Sequence, residues 1–222
     1  MLTPRKHLKK RELKEDKLVT IYSNARRWAE QNFRILAGAS VGIVVVIIAL
    51  VFVSDRREEK QAEASVLFVQ AKQQYNQRNY TRALQQFSAL VESYGGTMSG
   101  KISRLYQGKC FYEKEDYENA YKQFKAFSGS IKGSDHFQMS GLINAAACLE
   151  QQEKYEQAAR ELENAAKKYP KSAHAPFALL KAGQNYDELE NYEQAGQLYE
   201  KIVQKYPESA EKNDAILLNS MN

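Results

Sequence analysis

Cysteine and histidine are scarce in this 222-residue chain: it has two cysteines, Cys110 and Cys148, and three histidines, His7, His136 and His174. Two cysteines make no disulfide framework, and three dispersed histidines suggest no metal cluster, so neither bridges nor a structural metal is expected to hold the fold. The acidic residues stand singly, without a His or Lys partner at the spacing of a general acid–base pair. No catalytic residue, cofactor or metal site is therefore expected. Proline is missing from Arg34 through Gln77 and glycine occurs there only at Gly38 and Gly42, so one nearly continuous helix is expected over that stretch. A chain that is 43% hydrophobic and 11% aromatic is globular rather than disordered. Its length fits one domain, or one domain with an appendage.

The formal net charge of +5 is unevenly placed. Residues 1–34 hold ten Lys/Arg against four Asp/Glu, whereas residues 35–222 hold 22 against 23. The basic character belongs to the tail, and nucleic acid is not an expected partner of the rest.

Between Arg34 and Asp55 lie twenty uncharged residues, ILAGASVGIVVVIIALVFVS. At about 1.5 Å per residue a helix of that length crosses roughly 30 Å of hydrocarbon. A cleaved signal peptide has a shorter charged lead and a shorter apolar core, so an uncleaved anchor over 35–54 is expected. Lys/Arg asymmetry places residues 1–34 in the cytoplasm and residues 55–222 on the other side. Leu18, Ile21, Tyr22, Ala25, Trp28 and Ala29 recur at helical spacing among basic residues. They fit either an amphipathic helix lying on an anionic leaflet or a solvated tail that only sets topology. Gly38 and Gly42 form a G-x-x-x-G step through which two copies could pair as a homodimer.

Beyond the apolar segment, tyrosines recur at 80, 117, 155 and 192, a period of 37 or 38 residues that signals stacked supersecondary units. Three residues after each stands Ala83, Ala120, Ala158 or Ala195. Twelve before each alanine stands Ala71, Gly108, Ala146 or Gly183. Small residues at both places let two antiparallel helices approach closely, with the tyrosine wedged between neighbours. Four residues past each alanine a large side chain, Phe87, Phe124, Leu162 or Tyr199, faces inward. Tyr169-Pro170 and Tyr206-Pro207 close two units. The pattern predicts an all-α fold: a transmembrane helix, then an α-solenoid of about four helix-turn-helix repeats. Turns are expected near 77–80, 114–117, 152–155 and 189–192, with a capping helix from about residue 210.

The stretches NYTRALQQF, DYENAYKQF, KYEQAARELENAAKKYPKS and NYEQAGQLYEKIVQKYPES resemble the tetratricopeptide repeat. The layout resembles the bacterial inner-membrane-anchored YfgM-like family, and the Tyr-Pro-x-Ser endings are similar to envelope repeat proteins of the BamD and cell-division-coordinator type. The resemblance implies a single-pass inner-membrane protein with periplasmic repeats that assists protein translocation or envelope assembly by binding polypeptides. Two other readings stay open: an organiser of cell-wall or outer-membrane machinery, and an organellar import receptor with cytosolic repeats.

Gly95 to Ile102, GGTMSGKI, falls one residue short of a phosphate-binding loop, because Ile102 stands where Ser or Thr must hold magnesium. It follows a helical stretch, so a flexible inter-repeat loop is expected instead.

In such stacks the first helix of each unit lines the concave face. Counting three before, one after and four after the small residue places Phe68, Lys72 and Tyr75, then Leu105, Lys109 and Tyr112, in the expected peptide-binding groove. Ile143, Ala147 and Glu150, then Leu180, Gln184 and Asp187, follow in the third and fourth units. The groove is expected to be basic and aromatic at its first end and acidic at its last, a surface for an extended or helical peptide. Phe68, Leu105, Ile143 and Leu180 fit inter-repeat packing equally well. Cys110 and Cys148, equivalent in adjacent repeats, are expected to be buried free thiols.

Overall fold

The computed structural model describes residues 10–221, with side chains described at Lys17 and from Val19 onward. Residues 1–9 of the expected basic tail, with His7, and the Leu18 side chain of its expected apolar stripe therefore lie outside the described residues. Among the described residues there are ten helices and no strand. The chain divides into two compact units, Met1–Arg56 and Arg57–Asn222.

The first unit holds α1 (Lys10–Gln31) and the N-terminal part of α2 (Phe33–Asn76). Asn32 separates the two helices; its amide and its side-chain nitrogen both donate to the Trp28 carbonyl, at 3.0 and 2.8 Å. Ile21, Tyr22 and Trp28 on α1 are exposed. From Ile35 to Val53 the large apolar side chains of α2 are also exposed on every face. A helix that is apolar all round and uncovered suits hydrocarbon, and α2 is long and apolar enough to cross a membrane.

In the second unit the C-terminal part of α2 packs through Ala64, Phe68 and Ala71 on Ala83 and Phe87 of α3 (Tyr80–Tyr94). α4 (Met98–Glu113) pairs with α5 (Tyr117–Ser130), α6 (Asp135–Glu150) with α7 (Tyr155–Lys168), and α8 (Ala175–Asp187) with α9 (Tyr192–Lys205). A short α10 (Lys212–Asn219) follows and buries Ala215. These are the expected four repeats and capping helix.

All four intra-repeat turns share one geometry. Asn79, Asp116, Lys154 and Asn191 donate their amides to the carbonyls of Gln74, Phe111, Leu149 and Tyr186, five residues back. Arg78, Glu115, Glu153 and Glu190, one residue earlier, take φ of 61°, 61°, 58° and 57°. This is the Schellman ending of a helix, which ordinarily has glycine at the left-handed position. Asp116 and Asn191 then cap the following helices by accepting from the amides of Asn119 and Gln194.

Close approach explains the small residues. Ala71, Ala83, Ala120, Ala146, Ala158 and Ala195 are fully buried. A Cβ on Gly108 would stand 2.6 Å from the Phe124 ring, and one on Gly183 would enter the Tyr199 ring. Phe87, Phe124, Leu162 and Tyr199 fill the inward face. The repeated tyrosines are shallower than a wedge between neighbours requires. Tyr80, Tyr117 and Tyr155 are half-buried and Tyr192 is 49% exposed. Tyr80 and Tyr117 lie against Tyr75 and Tyr112 of their own repeats, ring centroids 5.5 and 5.3 Å apart.

The Gly95–Ile102 stretch is a tight turn running into α4 rather than a flexible loop. Thr97 caps the helix by accepting from the Gly100 amide at 3.0 Å, and a Cβ on Gly100 would strike the Tyr94 carbonyl. The glycine is there for packing. Cys110 and Cys148 are buried free thiols, and burial is the main cause that pushes both up to about 12.

Candidate functional site

The twelve expected groove residues divide into three groups. Phe68, Leu105, Ile143 and Leu180 pack. Phe68 lies 5.8 Å from Phe87 and 5.3 Å from Tyr106 between ring centroids, and Leu105 sits against the cluster of Ala120, Phe124, Ala145 and Cys148. Ile143 packs on the C-terminal core and Leu180 is buried within it. Lys72 is exposed on α2 and lines neither concavity described below. The remaining seven line two separate concavities.

The first, of about 280 Å³, is built by Tyr75 from α2, Lys109, Tyr112 and Glu113 from α4, Phe124 from α5, and Asn144 and Ala147 from α6. Three successive repeats thus meet around one hollow. Tyr75 and Tyr112 hold the same repeat position, each braced by the tyrosine that opens its repeat's second helix. Burial first, then the Glu113 carboxylate, pushes the Tyr75 hydroxyl up to about 12; burial, then Tyr117, raises that of Tyr112. Both are neutral hydrogen-bonding groups at physiological pH. The Lys109 ammonium lies 5.2 Å from the centroid of the Tyr106 ring, a cation–π contact that restrains it. Glu113 stands in the same hollow, so this end is aromatic and carries both signs of charge rather than the expected basic character.

The second concavity, of about 360 Å³, is lined by Glu150 from α6, Tyr155 from α7, Lys181, Gln184, Asn185 and Asp187 from α8, Glu188, and Leu218 from α10. Asn185, 3% exposed, donates to the Glu150 carboxylate at 2.7 Å and to the Lys181 carbonyl at 2.8 Å. The buried Tyr199 donates to Asp187 at 2.5 Å; burial and then this bond push its hydroxyl up. Three carboxylates stand here against one ammonium.

Asn144 and Lys181 are absent from the expected groove, although both hold one repeat position, two before the small residue. Extending the count by that position finds them. Glu113 and Glu188 likewise share one repeat position, five after the small residue, so extending the count finds them as well; Asn185, two after Gly183, has no counterpart lining either hollow. Aromatic residues, a carboxamide and charges of both signs give the first hollow both van der Waals surface and hydrogen-bonding groups, the means of holding a side chain together with nearby main chain.

Fourteen solved chains match this one. Among them is "MamA RS-1 ArsTM double mutant", 17% identical, with a TM-score of 0.52 over 71% of this chain and 84% of that chain, a likeness of fold. No curated protein matches. The family model described as "Tetratricopeptide repeat-like domain" matches residues 26–215, which take in the apolar part of α2 as well as all four repeats. The chain belongs to the tetratricopeptide repeat-like domain family.

Proposed function

We propose that this chain is a single-pass membrane scaffold that binds extended or helical segments of other polypeptides in the concave face of its repeats. The observation that carries the reading is the hollow of Tyr75, Lys109, Tyr112, Asn144 and Ala147, to which three consecutive repeats each contribute their first helix. A repeat fold of this family is a protein-interaction scaffold, and its concave face is where stacked first helices offer a continuous surface.

The anchor is residues 35–54, with residues 1–34 in the cytoplasm and the repeats on the periplasmic side of an inner membrane. The ten Lys/Arg of the tail support that direction. α1 lies along the anionic inner leaflet with Ile21, Tyr22 and Trp28 toward the lipid. Open space around Gly38 and Gly42, where an added Cβ meets nothing within 4 Å, leaves room for a second copy to pair there. The bound polypeptides belong to protein translocation or envelope assembly, as the resemblance to the YfgM-like family implies.

The test places a photo-crosslinking amino acid at Tyr112 in the full chain in its own membranes, with the same residue at the exposed Lys167 as control. Adducts with other polypeptides at Tyr112, absent at Lys167, are expected. Equal yields at the two positions, or none at Tyr112, would overturn the groove as binding surface. Protease protection of the repeats in intact cells, lost when the outer membrane is permeabilised, checks the topology.

A further inference from the structure

The residue that follows the small residue of each first helix is Lys72, Lys109, Ala147 and Gln184 in turn. Three of the four are long side chains. Only the third repeat has a methyl group there, and Ala147 is among the residues that line the 280 Å³ hollow. Three aromatic residues, Tyr75, Tyr112 and the buried Phe124, line it. Tyr75 and Tyr112 are themselves held, against Tyr80 and Tyr117, so they are in place before anything enters. The polar groups are Lys109, Glu113 and Asn144, and Lys109 is tethered over the Tyr106 ring.

Resting on the groove reading above, we infer that this hollow is a specificity subsite that takes one aromatic side chain, Phe, Tyr or Trp, of the bound polypeptide. An aromatic ring is the occupant because three of the seven lining residues are aromatic. Edge-to-face and offset ring contacts favour an aromatic guest over an aliphatic one of equal area. The size fits one large side chain together with the main chain that carries it. Asn144 donates to the Ser140 carbonyl and Glu113 accepts from Tyr80, which leaves the second amide hydrogen of Asn144 and the other carboxylate lone pairs for that main chain. Ala147 is the residue that sets the preference, by being short.

The repeat pattern supplies a test that leaves the fold in place. Ala147→Gln puts into the third repeat what the fourth already has, and Ala147→Lys what the first and second have, so either fills the hollow with a side chain this position accommodates elsewhere. The probe is a set of fluorescein-labelled twelve-residue peptides of Ala, Ser, Lys and Glu with one central position varied among Phe, Trp, Leu and Ala. Binding to the full chain in nanodiscs is read by anisotropy. The Phe and Trp peptides should bind at least about tenfold more tightly than the Ala peptide, as expected of a pocketed anchor. In Ala147→Gln and in Tyr112→Ser that ratio should fall to within about twofold of one, with helix content unchanged by circular dichroism. Peptides that bind without an aromatic preference, or a preference that survives both substitutions, would overturn the subsite and leave the groove standing. No binding by any peptide would overturn the groove and the subsite with it.

Discussion

The Tyr199 hydroxyl, on a ring with no exposed surface, donates to the Asp187 carboxylate across 2.5 Å, tying the second helix of the fourth repeat to the end of its first. Similar tyrosine–carboxylate bonds join Tyr186 to Glu163 at 2.8 Å, Tyr121 to Glu161, and Tyr80 to Glu113 at 3.1 Å. A hydrogen bond to a charged acceptor is worth roughly 1.5–3 kcal/mol. Tyr199→Phe keeps the packing and removes only the hydroxyl, so it should lower unfolding free energy by about that range, read from urea denaturation of the full chain in detergent. Tyr80→Phe, whose bond lies at the surface, should leave the urea midpoint close to that of the wild type.

Glycine to alanine substitutions should split by sign. Alanine is the better helix former by about 1 kcal/mol, so Gly129 in α5, with nothing within 4 Å of an added Cβ, should gain about 0.5–1 kcal/mol as Gly129→Ala. Gly108→Ala instead drives a methyl to 2.6 Å from the Phe124 ring and should lose about 1–3 kcal/mol. Combining it with Phe124→Leu should give a loss smaller than the sum of the two single losses, because the sites share one volume.

The same contact explains why the repeat was legible in the sequence. Where two helices cross closely there is room for one side chain and not two, so Gly108 with Phe124 and Gly183 with Tyr199 leave a small-and-large pattern at fixed spacing. The four alanines of the second helices are read in the same way. The turns were legible in place but not in kind, because their left-handed residues are Arg78, Glu115, Glu153 and Glu190 rather than glycine. The groove was legible only in part. Lys72 and Lys109 hold one repeat position, yet only Lys109 lines a hollow. Which first-helix residues meet around a hollow depends on what the next repeat places opposite them, as Ala147 and Asn144 do for Tyr112. Tyr192 is exposed where its counterparts are half-buried, because only the short α10 follows it.

Those left-handed residues are a reserve of stability. A non-glycine residue with a helical φ of the wrong sign costs roughly 1–2 kcal/mol, and glycine removes that at the expense of about 0.5–1 kcal/mol of chain entropy. Glu115→Gly and Glu153→Gly should each gain about 0.5–1 kcal/mol. Being one repeat apart, they should add in the double variant. Glu115→Ala, which keeps the Cβ, should gain nothing. Urea midpoints at unchanged slope are the measurement, and a loss on glycine substitution would show that the Glu115 side chain holds the turn by a contact worth more than the strain.

The last prediction concerns acid. His136, the second residue of α6, and His174, the N-cap of α8, face one another with ring centroids 4.6 Å apart. Each stands at the positive end of a helix, where a further positive charge is unfavourable. Burial first and His136 second lower the pKa of His174, and Glu211, which opens α10, opposes them; Asp135 adjoins His136 on α6. A histidine whose folded pKa lies below its unfolded one leaves the unfolded chain binding more protons as pH falls. The stability is therefore complete above the unfolded value of about 6.5 and is lost as pH falls through that value toward the folded one. Urea midpoints of the full chain in detergent should fall between pH 7.5 and 5.5. The fall should be smaller in His174→Gln, which keeps a polar side chain of similar reach and cannot titrate. His136→Gln should narrow it as well, because it removes the neighbour that opposes protonation of His174. An equal fall in wild type and in His174→Gln would show that other groups carry the acid sensitivity and that this pair contributes nothing to it.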